Sequence, residues 1–430
     1  MIFIDILKKN YFNIILFLIV SIILYLLIYY RLIYPTIIPV LKNGNLLLFH
    51  DWTAVINANF CFKNGFNVYV NNPCGGHSYG KILLQISFPF FFKLKNFYYF
   101  YLPFILNLIF IYISLSFFKF RKKVEYLTII FFIFSSSFIL AIERANLDVL
   151  IFLLMVLISY NRKIFFNYFI LIFISLAKFY PLFMISIFLF EKNIKKILLN
   201  SFLFIFIIVI IFYFQIEELS QVINNTSKFT SQGVYIFSFK ALLLHLDRLI
   251  ISHNGIDYSL FKYLIFIIIS IVPLLIFVKK FWLNLNSFSE TSNFFKHNNY
   301  YSRLYILASS TILLCYLLFP SNFIYREIFF LALIPWVLSE RQKLLAKNCF
   351  NFYFYSLCLK FFLSSILIFF DRNNIFMNFN PLIILIKHSV DFYIISIMLV
   401  FLIPIMKSFI KNHVPQKVWY LSFSSDIGCW

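Results

Sequence analysis

Four short polar motifs interrupt an otherwise apolar sequence, and they contain the residue types that acid–base and phosphate chemistry needs. They are HDW at 50–52, ERANLD at 143–148, KFYP at 178–181 and NFIYRE at 322–327. A carboxylate can take a proton from an attacking hydroxyl, whereas Arg binds phosphate through its bidentate fork and Lys binds it as a point charge. Together these groups suit the transfer of a group from a phosphate-bearing lipid to a hydroxyl acceptor.

The composition of the chain indicates that the elements positioning these motifs belong to a membrane protein. Of its 430 residues, 62% are hydrophobic and only 12% are charged, and the mean hydropathy is +0.90. That composition excludes an ordinary soluble globular protein. We therefore predict an all-α polytopic membrane protein, with residues 1–430 forming a single integral membrane domain.

Polar interruptions divide the sequence into about twelve predicted transmembrane helices. They are 11–33, 98–118, 124–142, 147–160, 164–177, 180–190, 197–214, 259–278, 304–319, 324–338, 349–370 and 389–406. Three of them, 147–160, 164–177 and 180–190, are shorter than the ~20 residues that a helix needs to cross the hydrocarbon core. The charged motifs at their ends are therefore expected in a polar cavity below the outer membrane surface, where ionisable groups are costly and usually functional. One kinked helix over 164–190 is the alternative for the last two.

The net charge of +21 is unevenly distributed among the loops. With the N-terminus in the cytoplasm, the predicted inner loops, such as 119–123 and 192–196, are almost purely basic, as the positive-inside rule requires. We attribute the positive excess to this topology, and we predict no nucleic-acid partner. The prediction is a multi-pass protein of the cell inner (plasma) membrane, with both termini cytoplasmic and the four motifs facing the periplasm or exterior.

The two longest polar segments fall on the predicted outer side. The first outer loop, 34–97, is expected to carry interfacial helices, including the apolar segment 81–95 with Lys at both ends. The second long outer loop, 215–258, mixes amides with aromatics such as Phe237, which suits either acceptor recognition or a solvated loop anchored by its rings. In the first loop, a disulfide between Cys61 and Cys74 would contribute on the order of 3 kcal/mol in an oxidising compartment. Two free thiols are the alternative.

The order of these features resembles the GT-C superfamily of polyprenyl-phosphate-sugar-dependent glycosyltransferases. An N-terminal span followed by a large outer loop with an early aspartate, here Asp51, is similar to that superfamily. The stretches DWTAVINANFCFKNGFNVY, ANLDVLIFLL, LAKFYPLFM and YREIFFLALIPW are similar in order to glycosyltransferase family 87, the α-1,2-mannosyltransferase type. The charged ERANLD motif departs from the more neutral turn expected there, so mannose follows from analogy alone.

The resemblance implies a role for each motif. Asp51 would be the general base that deprotonates the acceptor hydroxyl for inverting attack on the anomeric carbon of a hexose. Lys178 would bind the donor phosphate, with Arg326 and Arg144 as further phosphate ligands. The remaining candidate substrate contacts are His50, Glu143, Asn146, Asp148 and Tyr325.

Other roles are open for several of these residues. Ion pairs that only join helices are one alternative, for example Asp148 with Arg144 or Glu327 with Arg326, and N-capping of a helix is another for Asn146. The predicted partners are a polyprenyl-phosphate-linked sugar donor, a glycan or glycolipid acceptor and the lipid bilayer.

We predict no metal and no cofactor, because Lys and Arg can stabilise the departing polyprenyl phosphate. Two other classes of protein remain as alternatives. A transporter or flippase of lipid-linked saccharides would need polar residues at the membrane midplane and broken helices. An O-antigen-type polymerase would lack the early base.

Overall fold

The computed structural model consists almost entirely of helices. It describes residues 11–32, 41–42, 45–46, 48–69, 73–74, 77, 79–86, 88, 93–118, 123–191, 193–217, 220–221, 236–247, 259–291, 300–318, 324–341, 347–373 and 380–413. The strands of this described part are Leu41–Lys42 and Asn45–Leu46, which pair antiparallel.

The helices follow the predicted spans closely. Their bounds are Tyr11–Tyr29, Phe97–Ser116, Lys123–Ile133, Ser136–Arg144, Leu147–Tyr160, Ile164–Ala177, Tyr180–Phe190, Ile194–Phe214, Ser259–Phe266, Ile267–Ile271, Val272–Thr291, Tyr300–Leu318, Ile324–Leu333, Ile334–Glu340, Lys347–Arg372 and Asn380–His413. The predicted span 124–142 is divided, because Ser135 caps a new helix by accepting a hydrogen bond from the Phe138 N–H. The last helix begins nine residues before the predicted start at 389.

Six of the described helices are long and apolar enough to cross a membrane. They are Phe97–Ser116, Ile194–Phe214, Leu260–Trp282, Tyr300–Leu318, Lys347–Phe370 and Leu382–Ile410. Helix Ile194–Phe214 also exposes large apolar side chains such as Leu198 and Phe202, which suits contact with lipid. The chain is therefore an all-α protein with membrane-spanning character, and the count of twelve spans stays a prediction.

The two short segments on either side of Lys178 form a hairpin. Helix Ile164–Ala177 ends where Lys178 adopts an extended conformation, with φ −142° and ψ 140°. The 3₁₀ helix Tyr180–Phe190 then runs back, so that the Tyr168 and Phe188 rings lie 4.9 Å apart. The single kinked helix over 164–190 is therefore wrong, and Lys178 lies at the tip of two antiparallel segments.

The first predicted outer loop contains a helix, His50–Lys63, that starts with the HDW motif. Asn59 of this helix donates to the carbonyls of Leu83, Leu84 and Ile86 at 2.8–3.0 Å. Cys61 on the same helix forms a disulfide bond with Cys74. The Asn59 hydrogen bonds join the helix to the short helix Ile82–Gln85, which is the described helical part of the segment predicted to be interfacial.

The same loop also contacts the tip of the hairpin. The Gly80 N–H donates to the Ala177 carbonyl at 3.0 Å. A Cβ atom added at Gly80 would lie 1.6 Å from the Leu176 carbonyl oxygen, so the close approach requires glycine. The Asp51 helix and Lys178 are thus joined through Asn59 and Gly80.

The second predicted outer loop is described in part, because residues 218–219, 222–235 and 248–258 lie outside the described residues. It includes the helix Phe239–Asp247. Phe237 is buried, and its ring lies 5.1 Å from that of Tyr316 and 5.7 Å from that of Phe330. The Phe237 ring therefore belongs to the protein core, and acceptor recognition by the second outer loop stays a prediction.

Candidate active site

The helix that carries Asp51 starts against the ERANLD turn. Phe49, directly before it, has a left-handed backbone with φ 60°, and its N–H donates to the Glu143 carbonyl at 2.8 Å. Ala145 is also left-handed, with φ 44°, and ends the helix Ser136–Arg144. The two turns therefore bring Asp51, from the first outer loop, beside residues 143–148.

Asn146 connects Asp51 to Lys178. Its Nδ2 donates to Asp51 Oδ2. Its Oδ1 accepts from Lys178 Nζ at 3.0 Å and also from the Asp148 N–H at 3.0 Å, which caps the helix Leu147–Tyr160. The capping role considered for Asn146 is therefore confirmed, and the same carboxamide orients two of the predicted site residues.

Asp148 lies at the centre of the remaining contacts. Its Oδ1 accepts from Lys178 Nζ at 2.6 Å and from the Tyr180 hydroxyl. Arg326 Nε lies 3.8 Å from Asp148 Oδ2, and its guanidinium stands 4.8 Å above the centre of the Tyr180 ring. We call the group formed by Asp51, Glu143, Arg144, Asn146, Asp148, Lys178, Tyr180 and Arg326 the Asp148 cluster.

Arg144 lies at the exposed side of the Asp148 cluster. Its Nη1 is 3.8 Å from Asp51 Oδ1, and its Nε is 3.9 Å from Glu143 Oε2. Glu143 is fully buried. The cluster therefore contains three cationic and three carboxylate side chains, and their formal charges cancel.

The structure brings most of the predicted site residues together. Asp51, Arg144, Asn146, Asp148, Lys178 and Arg326 are linked by the contacts above. His50 starts the Asp51 helix, and its buried Nδ1 makes no hydrogen bond in the described part of the chain. The side chain of Tyr325 lies outside the described residues.

The two ion pairs considered from the sequence differ from those that the structure gives for the same residues. Arg144 lies beside Asp51 rather than Asp148, and Glu327 lies 2.9 Å from Lys360 rather than beside Arg326. Consecutive residues on a 3₁₀ helix are about 120° apart, so Arg326 and Glu327 point to different neighbours. Sequence proximity therefore gave the wrong partners in both cases.

The Asp148 cluster also includes a residue that sequence reasoning missed. Tyr180 is buried, donates to Asp148 and lies beneath Arg326. The signal was present in KFYP, because a tyrosine at the tip of a short apolar hairpin has a polar hydroxyl that needs a partner. Because aromatic residues are abundant in this chain, Tyr180 does not stand out from the others in the sequence.

Comparisons of the chain with family models, with curated proteins and with solved structures find no match.

A second group of charges lies deeper in the protein. Glu327, Lys360, Lys387 and Asp391 are all fully buried, and we call them the Asp391 cluster. Lys360 Nζ lies 2.7 Å from Asp391 Oδ1, and Lys387 Nζ lies 2.5 Å from Asp391 Oδ2. The LIKHSVD sequence contains the signal, since Lys387 and Asp391 are four residues apart on one helix face. The predicted start of the last span at 389 leaves Lys387 outside the span and Asp391 inside it, so this pair is not predicted.

An open pocket of about 320 Å³ lies away from the Asp148 cluster. It is lined by Phe62, Phe66, Tyr69 and Glu217, among others. Phe62 is eleven residues beyond Asp51 on the same helix, or roughly 16 Å at 1.5 Å per residue. The described residues include no group of three or more His, Cys, Asp or Glu placed to hold a metal ion.

Proposed function

We propose that the protein is a membrane glycosyltransferase that moves a hexose from a polyprenyl-phosphate sugar to a glycan or glycolipid acceptor on the outer face. The observation that supports the proposal is the convergence of Asp51, Lys178 and Arg326 on Asn146 and Asp148, although these residues come from distant parts of the chain. A candidate base is thereby placed beside two candidate phosphate ligands.

The exposed fractions of the two aspartate side chains favour Asp51, rather than Asp148, as the base. Its side chain is 13% exposed, whereas that of Asp148 is 0% exposed and already accepts hydrogen bonds from Lys178 and Tyr180. An acceptor hydroxyl can therefore approach Asp51 from the surface. As Asp51 takes the hydroxyl proton, the acceptor oxygen forms a bond to the anomeric carbon, and the bond from that carbon to the phosphate oxygen breaks with inversion.

The neutral charge balance of the Asp148 cluster suits this reaction. The donor phosphodiester carries one negative charge, and the polyprenyl phosphate that leaves carries two. Protonation of Asp51 removes one negative charge as the leaving group gains one, so the total charge of the site stays constant. Lys178 and Arg326, already held beside Asp148, stabilise the charge on the leaving oxygen without reorganising.

The lengths of the hairpin segments suit a donor carried by the membrane. Ile164–Ala177 has 14 residues and Tyr180–Phe190 has 11, which correspond to roughly 21 Å of α-helix and 22 Å of 3₁₀ helix. The hydrocarbon core is about 30 Å thick. With the basic loops at the inner surface, Lys178 at the tip lies below the outer surface, at a depth that the phosphate of a polyprenyl lipid can reach.

The test is sugar transfer in proteoliposomes with radiolabelled polyprenyl-phosphate mannose, glucose or galactose and a mixed envelope glycolipid acceptor. We expect Asp51→Asn to lower transfer at least a hundredfold while donor binding is retained, because general-base catalysis contributes about 10²–10⁴-fold. Asp247→Asn is the matched control, since Asp247 is exposed at the end of its helix. Transfer by Asp51→Asn at the unmodified rate would refute Asp51 as the base.

The Asp391 cluster gives a specific reason to keep a transporter of lipid-linked saccharides as the second candidate. Lys360 lies near the middle of the apolar helix Lys347–Arg372, and its carboxylate partners come from neighbouring segments. Buried charges at such depth occur along transport pathways. Movement of a fluorescent polyprenyl-phosphate sugar between leaflets, without transfer of the sugar, would favour this candidate.

A further inference from the structure

We propose that Glu327 is a positioning residue that aims Arg326 at the donor phosphate, and that the buried Lys360 and Lys387 hold Glu327 in place. This inference rests on the proposed function, because it assigns a purpose to the Asp391 cluster within the same site.

Glu327 is anchored from several directions. Its Oε1 lies 2.9 Å from Lys360 Nζ and 3.2 Å from Lys387 Nζ, and its Oε2 accepts from the Ser137 hydroxyl at 2.9 Å. These contacts come from three different helices, and Glu327 is fully buried. The carboxylate therefore has a single well-defined position.

Asp391 completes the anchor by balancing its charge. It pairs with both Lys360 and Lys387, so that two cations face two carboxylates. Lys387 also donates to the Ile236 carbonyl at 2.6 Å. A buried group that is paired and hydrogen-bonded in this way is held in place, because movement away from a partner would leave an uncompensated charge in the interior.

The anchor acts on Arg326 through the backbone. Arg326 and Glu327 are consecutive on the 3₁₀ helix Ile324–Leu333, and consecutive side chains there diverge by about 120°. Fixing Glu327 toward Lys360 therefore turns Arg326 toward the Asp148 cluster. The ion pair between Arg326 Nε and Asp148 Oδ2 is long, at 3.8 Å. The Arg326 guanidinium also stands 4.8 Å above the centre of the Tyr180 ring, and the anchor on the neighbouring residue adds a fixed backbone position to these contacts.

The test compares variants of the full-length protein that remove the same number of buried charges. Glu327→Gln with Lys360→Met leaves the Lys387–Asp391 pair but deletes the anchoring carboxylate. Lys360→Met with Asp391→Asn is the matched control, because it removes the same number of buried charges and one of the two cations that hold Glu327, but leaves Glu327 with Lys387 and Ser137. Binding of polyprenyl-phosphate mannose is measured in an Asp51→Asn background, so that the donor is not consumed.

We expect Glu327→Gln/Lys360→Met to weaken donor binding about tenfold, as Arg326→Ala does, because both displace a charged hydrogen-bonding group from the phosphate. The control pair should weaken donor binding less than this, by about threefold, because Lys387 and Ser137 still hold Glu327. Adding Arg326→Ala to Glu327→Gln/Lys360→Met should cause no further loss, since residues that act through one another are not additive.

Each result is decisive for one of the two proposals. If Arg326→Ala weakens donor binding but Glu327→Gln/Lys360→Met does not, or if the control pair weakens it equally, the positioning role is overturned and the cluster only joins helices. If Arg326→Ala itself binds the donor normally, Arg326 is not a phosphate ligand and the proposed function loses that support. Should the double variant not fold, Glu327→Asp tests the same point, because it keeps the charge and shortens the anchor. It should weaken donor binding several-fold, and unaltered binding overturns the role.

Discussion

Asp51 and Asp148 belong to one cluster, yet their surroundings differ and suit them to different proposed roles. Asp148 is enclosed by Lys178, Tyr180 and Arg326, so its carboxylate holds cations in place. Asp51 is partly exposed and is oriented by Asn146. A base has to be reachable by the acceptor, and a group that aligns cations has to be shielded from water. The difference in burial therefore suits Asp51 to the proposed role of base and Asp148 to that of aligning the cations.

His77 gives a pH-dependent property at the scale of a single residue. Burial lowers the pKa of His77 from its ordinary 6.5 to about 4, although backbone hydrogen bonds at Gly80 and Tyr79 act in the opposite direction. Between about pH 4 and 6.5, His77 is therefore neutral in the folded (closed) loop, whereas it binds a proton when the loop unfolds. We expect the stability of the closed loop to be complete above about pH 6.5 and to fall as the pH drops toward 4, by roughly 3 kcal/mol in total.

Hydrogen exchange of residues 48–86, corrected for the intrinsic effect of pH, measures this loss. His77→Gln is the comparison, because glutamine does not titrate in this range. The variant should show little change in loop protection between pH 7 and 4.5. An equal loss of protection in both proteins would contradict the role of His77.

At the scale of elements, the contact between Gly80 and the hairpin tip positions Lys178. A methyl group at Gly80 would overlap the Leu176 carbonyl oxygen, which is backbone and cannot move aside. Gly80→Ala should therefore displace the loop from the tip and disturb Tyr79, whose ring lies 5.2 Å from Lys178 Nζ. We expect a loss of about 2 kcal/mol or more in thermal unfolding measurements, as for other overpacked sites, and weaker donor binding.

Gly65→Ala provides the control for this prediction. Gly65 has φ 85° and no atom within 4 Å of an added Cβ, so alanine there meets backbone strain but no steric overlap. Its cost should be about 1 kcal/mol, without any effect on the donor. Equal effects of the two variants would show that the Gly80 contact does not position Lys178.

At the scale of the whole molecule, the distribution of charge predicts an orientation that labelling can test. Lys196 lies in a predicted inner loop and Asp247 in a predicted outer one, and both side chains are exposed. Single cysteines at these positions, with the native free cysteines replaced, should react with an impermeant maleimide from opposite sides of the membrane. Labelling of both from one side would overturn the topology and the outward-facing site.

The sequence by itself determined the class of the protein and the bounds of several of its helices. Composition requires a membrane-embedded helical chain, and the apolar runs 147–160, 164–177 and 180–190 end where the described helices end. These features are local, because hydropathy and capping act over a few neighbouring residues. For the same reason the motifs around Asp51 and Lys178 were recognisable as candidate sites of chemistry.

Only the tertiary structure decided which of the charges meet. Arg144 and Arg326 pair with distant aspartates rather than with the acidic residues considered from the sequence, and Glu327 joins Lys360 and Lys387 in a cluster that the sequence did not reveal. Ion pairs depend on the directions in which side chains leave packed helices. Successive side chains of an α-helix differ in direction by about 100°. Local pattern therefore locates the charges along the chain, and packing alone selects their partners.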